Sequence, residues 1–96
     1  MDIKRITLPE TFSFEHHEWF RDECKQALRY ARKIELVCDR VKFLDSAALG
    51  MIAMLQKSLN EHHSKEIVVS EPTAYCDEIL SLANMYEKYV VRDVIA

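Results

Sequence analysis

The sequence predicts an α/β fold, a small and mostly parallel sheet of about four strands with helices packed on it. Three observations carry that expectation. Two short runs, Ile34 to Cys38 and Ile67-Val68-Val69, are almost continuously apolar, as strands buried on both sides are. Between and around them, apolar residues recur at three- and four-residue steps, as on one face of a helix. Strands alternating with helices favour parallel pairing through right-handed crossovers.

In chain order, Ile3 to Leu8 is followed by Pro9 and reads as a short strand near a sheet edge, since both of its faces, Ile3, Arg5, Thr7 and Lys4, Ile6, Leu8, mix apolar with polar or charged groups. Thr11-Phe12-Ser13-Phe14 follows as a connection with two aromatics expected to be buried, and Ser13 is a candidate N-cap. The first helix is expected from Glu15 to about Arg32. Its apolar face is Phe20, Cys24, Ala27, Leu28 and Ala31, with acidic residues early and basic residues late, as the helix dipole favours. The strand Ile34 to Cys38 comes next, and Val41, Phe43 and Leu44 pack the approach to Asp45. A second helix runs from about Ser46 to Asn60, with Ala48, Ile52, Leu55 and Leu59 facing the core. Glu61-His62-His63-Ser64 is a polar connection to the strand Glu66 to Ser70. Pro72-Thr73 opens a third helix, since Pro suits a first turn; its core face would be Cys76, Ile79, Leu80 and Ala83. Asn84 to Glu87 turns the chain, and Tyr89-Val90-Val91 is the last strand.

The chain has 96 residues, 49% of them apolar, enough for one domain with a modest core, taken as residues 1–96. Thirteen basic against sixteen acidic residues give a net charge of −3, which does not favour nucleic-acid or anionic-membrane binding. No apolar run approaches the roughly 18–20 residues of a membrane span, and Met1-Asp2-Ile3-Lys4-Arg5 opens no signal region. A cytoplasmic protein is expected. Cys24, Cys38 and Cys76 are scattered, without a Cys-x-x-Cys, and read as inert buried thiols. The pairs His16-His17 and His62-His63 lack further ligands at zinc spacing, and with a single Gly no phosphate-binding glycine loop exists. No cofactor, metal or catalytic residue is therefore expected.

The stretch Val41-Lys42-Phe43-Leu44-Asp45-Ser46-Ala47-Ala48-Leu49-Gly50-Met51 stands apart, because Asp45-Ser46 marks the hand-over from strand to helix. Asp and Ser both cap helix N-termini, their side-chain oxygens accepting from free N–H groups of the first turn. The same geometry leaves the Ser46 hydroxyl at the carboxyl end of a strand, where open α/β sheets hold their sites. Small neighbours such as Ala47 let another surface approach that hydroxyl, whereas Ala48 suits close packing on the sheet. Leu49 and Met54 fall off the core stripe and are expected to be partly exposed. Met51 and Met54 read equally as contact surface or as a broad buried face.

This stretch, with the element order around it, resembles the STAS domain family, and most closely its single-domain bacterial anti-sigma factor antagonists. The resemblance implies that Ser46, directly after Asp45, accepts a phosphate from a partner kinase. The family pattern continues with a hydroxyl residue and then Gly; Ala47 and Ala48 stand there instead. Further implications are a partner surface of Asp45, Ala47, Ala48, Leu49, Gly50, Met54 and the loop around Phe12, with Asp45 positioning the helix start and orienting the hydroxyl. The expected function is partner switching. The unphosphorylated protein binds an anti-sigma factor or serine kinase regulator, phosphorylation of Ser46 releases it, and a serine phosphatase restores it. An alternative within the family is an unphosphorylated subunit docked on the ATPase of an ABC transporter. A small enzyme or metal protein is a third class, tested by metal analysis. Weak homodimerisation along an open strand edge is a further expectation.

Overall fold

A computed structural model describes residues 3–62 and 66–92. Its main sheet is built from β1 (Ile3–Thr7), β3 (Lys33–Val37), β5 (Glu66–Ser70) and β6 (Val91–Arg92), in that order across the sheet and all parallel. Two further strands, β2 (Thr11–Phe12) and β4 (Phe43–Leu44), form a separate parallel pair. The helices are α1 (His17–Tyr30), α2 (Ser46–His62), α3 (Ala74–Leu82) and the single turn α4 (Met85–Lys88). The strand order steps in one direction only, so right-handed crossovers put the connecting helices on one face of the sheet.

Burial follows that arrangement. Ile6, Ile34, Leu36, Ile67 and Val69 share one face and are buried with Ala27 and Phe20 of α1 and Ala48, Ile52, Leu55 and Leu59 of α2. All four expected core residues of α2 are thus inside. The opposite face carries an ion pair, Arg5 Nε to Glu35 Oε1 at 3.3 Å, between neighbours in register across β1 and β3. β1 lies at the sheet edge and β3 and β5 lie inside it, as their sequence character predicts.

Several boundaries differ from expectation. The chain enters α1 through a 3-10 turn over Phe14–His16, in which His16 N–H donates to Ser13 O at 2.9 Å and His16 Nδ1 accepts from Ser13 N–H. α1 stops at Tyr30, because Ala31 is already extended and buried on the way to β3. α2 extends through His62, taking up part of the expected polar connection, and His63 and Ser64 lie outside the described residues. Pro72 stands before the third helix and not inside it; Thr73 is the N-cap, its Oγ1 accepting from Cys76 N–H at 3.1 Å. Ala83 is exposed and not in the core face, because α3 ends at Leu82 and Asn84 turns the chain with φ of 58°. Asn tolerates that left-handed conformation. The residues expected to form a plain turn instead make α4, which buries Met85, and the last strand begins two residues later than predicted, at Val91 and not at Tyr89.

A polar clamp fastens this end of the chain. Tyr86 O–H donates to Asp77 Oδ1 at 2.7 Å, Arg92 Nη2 reaches the same oxygen at 2.8 Å, and the guanidinium stacks 4.5 Å over the Tyr86 ring. Burial and the bond to Asp77 hold the Tyr86 phenol well above its usual range, with Arg92 opposing them. The proton favours the folded state, so the contribution of Tyr86 is complete below the ordinary tyrosine value of about 10 and is lost as pH rises beyond it. Thermal unfolding measured across alkaline pH should show a decline in melting temperature that Tyr86→Phe flattens. An identical decline in the variant would contradict the clamp.

Candidate functional site

The site is assembled where β2, β4, and the starts of α2 and α3 meet at the carboxyl end of the sheet. The strands β2 and β4 are two residues each, so hydrogen bonds between segments do the positioning. Glu10 O accepts from Lys42 N–H at 2.7 Å and from Phe43 N–H at 3.1 Å, and Phe12 O accepts from Asp45 N–H at 3.4 Å. These bonds align the segment after β1 with the segment after β3. From the other side, Thr73 Oγ1 donates to Val41 O at 2.6 Å, and Leu44 N–H donates to the Tyr75 hydroxyl at 3.3 Å.

Asp45 is the junction. Its Oδ1 accepts from Ala48 N–H at 2.7 Å, which caps α2, and its Oδ2 accepts from Phe14 N–H at 3.1 Å. Both carboxylate oxygens therefore hold backbone. The expectation that Asp45 orients the Ser46 hydroxyl is not met: that hydroxyl makes no intramolecular hydrogen bond among the described residues. Ser46 is exposed at the first position of a 17-residue helix, where free N–H groups and the dipole favour an anion.

The other expected site residues divide by burial. Ala47 and Leu49 are half-buried, Gly50 is exposed, and Met54 is 63% exposed. Met51 is half-buried, between the two readings its position allowed. Ala48 and Phe12 are fully buried, so neither can supply contact surface as expected: Ala48 is on the core stripe of α2, and Phe12 packs on Phe20 at 5.1 Å between ring centroids. Close packing accounts for Ala48 but not for Gly50, where an added Cβ would meet nothing within 4 Å.

Two aromatics expected inside are outside. Phe14 is 69% exposed and Phe43 is 47% exposed. Phe14 would share the inward face of Phe12 if the strand continued, but the chain turns into the 3-10 helix at that residue and sends the ring outward, where it stacks on His17. The sequence signal that could have warned of this is Ser13, a cap residue between the two rings. Thr73 and Tyr75, which brace the site from α3, had no local signal beyond the capping preference of Thr.

The remaining chemistry-bearing residues have structural settings. Cys24, Cys38 and Cys76 are buried free thiols. Burial, helped by the Glu23 charge, pushes Cys24 up to about 12. The bond to Cys76, together with burial, holds Cys38 far above the ordinary thiol range, and that same bond lowers Cys76. Among the described residues no three His, Cys, Asp or Glu side chains are grouped to hold a metal ion, and no helix is long and apolar enough to cross a membrane.

Comparison with known proteins bears on this arrangement. The family described as "Mlab, STAS domain" matches residues 3–92. Among solved structures, the fold is similar to the NMR structure of the protein TM1081, with a TM-score of 0.81 and 22% identity over 96% of this chain and 74% of that one. It is also similar to the anti-sigma factor antagonist SpoIIAA in its unphosphorylated form, with a TM-score of 0.72 and 14% identity over 99% of this chain and 82% of that one. No curated protein matches the chain.

Proposed function

The chain belongs to the STAS domain family, and from that premise we propose that it is a non-enzymatic bacterial regulator that switches partners through the phosphorylation state of Ser46. The observation that carries the reading is the independence of Ser46 from the fold. Asp45 caps α2 without it, and its own hydroxyl is exposed and engaged with no other described residue. A phosphate there adds nearly two negative charges and three strong acceptors, and the helix dipole stabilises it by roughly 0.3–1 kcal/mol. The modification therefore spares the fold and acts on whatever docks over the helix start.

In this reading the unphosphorylated protein acts in the cytoplasm, in the manner of an anti-sigma factor antagonist. It binds an anti-sigma factor or serine kinase regulator through Ala47, Gly50, Met54 and Phe14 and so releases that regulator's target for transcription. The kinase activity of such a partner modifies Ser46, and a serine phosphatase reverses the change. Burying the phosphate under a docked partner is costly without a matching cation, and a hundredfold loss of affinity requires only about 2.7 kcal/mol.

Intact-mass measurement with site mapping, on protein isolated from its own cells with phosphatases inhibited, should find a fraction heavier by one phosphate on Ser46. Ser46→Ala should then hold the regulator constitutively and Ser46→Asp should bind it about a hundredfold more weakly. Equal affinities would sink the switch. The exposed apolar pair Phe14 and Met54, which line one groove with Ala47, favours a second reading, permanent docking on the ATPase of an ABC transporter. Stable co-purification with an ATPase, and unmodified mass under several growth conditions, would select it.

A further inference from the structure

A groove of about 460 Å³ runs between α1 and α2 and opens beside Ser46. Phe20, Cys24 and Leu28 from α1 and Met51 and Leu55 from α2 line it, so its bed is apolar. On one helix the lining extends from His17 to Leu28, on the other from Ala47 to Ser58. At about 1.5 Å per residue each side is roughly 16 Å long, or about three helical turns.

Two features define what fits there. The first is charge. Arg21 and Lys25 line the groove, and no carboxylate does, although the chain as a whole has a net charge of −3. The two cations are four residues apart on α1 and so stand about 6 Å apart along the rim. Neither makes an ion pair among the described residues, so both are available to a ligand's carboxylates. The second feature is the opposite rim, where Ala47 and Gly50 leave room for another backbone and exposed Met54 supplies an adaptable contact.

We infer that this groove seats an amphipathic helix of the partner, with the partner's apolar stripe between α1 and α2 and acidic residues four apart on its flank against Arg21 and Lys25. The inference rests on the docking reading above and specifies the chemistry of the docked segment. A single-chain carboxylic acid would satisfy one of the two cations; a helix with an acidic flank satisfies both, in the groove-binding mode that amphipathic helices commonly use. It also gives the phosphate a direct target. Ser46 precedes the lining residue Ala47, so a phosphate there sets like charge against the end of an acidic helix.

The test uses the full chain and a synthetic helical peptide of about three turns, with leucines along one stripe and two glutamates four residues apart on its flank. Chemical-shift titration should show saturable binding centred on Arg21, Gly50 and the Met54 methyl. The variant Arg21→Glu with Lys25→Glu, both on exposed positions, should bind the peptide at least tenfold more weakly while keeping its native circular dichroism. The peptide with lysines in place of glutamates should not bind. No shifts in the groove, equal binding of the lysine peptide, or unchanged affinity of the double variant would overturn the proposal. So would saturation of the groove by dodecanoate where the peptide fails. Because the titration needs no native partner, its failure leaves the Ser46 reading standing. Conversely, equal affinities of the Ser46 variants leave the groove result standing.

Discussion

Phe12→Ala should remove about 3–5 kcal/mol of stability, the usual cost of truncating a fully buried aromatic. Phe12 is 0% exposed. Its ring lies 5.1 Å from that of Phe20 and meets Trp19 edge-on at 6.4 Å. The cavity would open against α1, at a residue whose backbone carbonyl also accepts from Asp45 N–H at the start of α2. Domains of this size hold about 0.05–0.15 kcal/mol per residue, so the variant would lose a large share of its total. Each kcal/mol shifts the midpoint by about 4–8 °C, so the fall should exceed about 12 °C by circular dichroism. Phe14→Ala, two residues on, should stay within about 0.5 kcal/mol because that ring is mostly exposed. Equal losses at the two positions would contradict the placement of the rings.

Asp45→Ala should cost about 3 kcal/mol, through two separable losses. Removing an N-cap costs about 1 kcal/mol, and a hydrogen bond to a charged group contributes about 1.5–3 kcal/mol. Here the first loss is the bond from Ala48 N–H and the second is the bond from Phe14 N–H. Asp45→Ser separates them. A serine at the cap restores the short bond to the helix but has no second oxygen for Phe14, so it should recover about 1 kcal/mol of the deficit. Urea unfolding of the three proteins reads this directly. If Asp45→Ser matched Asp45→Ala, the cap would not be the contributor identified here. Ser46→Ala should leave stability nearly unchanged in the same series, because the described structure places no hydrogen bond on that hydroxyl.

This contrast between adjacent residues shows how the site and the fold share one turn. Asp45 is structural, with both oxygens committed to backbone N–H groups. Ser46 is held in place by that commitment and contributes nothing to it. A hydroxyl placed this way can gain or lose a charged group without unfolding the helix that presents it.

The amino-acid sequence by itself determined the central strands and the register of the core helix. Ile34, Leu36, Ile67 and Val69 are buried because continuous apolar runs of strand length have no other low-energy place. Ala48, Ile52, Leu55 and Leu59 are buried because their spacing puts them on one helical face. The capping chemistry of Asp45 was legible for the same reason, being local. The two-residue strands β2 and β4 were not, since two residues carry no periodicity and their pairing joins segments more than thirty positions apart. The outward direction of Phe14 was likewise decided only in three dimensions, by a 3-10 turn that Asp45 holds from across the chain. The groove is the clearest case. Arg21 and Lys25 carry no local signal that marks them as a site, and only the packing of α1 beside α2 sets them against Gly50 and Met54. Local periodicity fixes which side of an element is apolar; which two sides meet depends on the burial of the whole core at once.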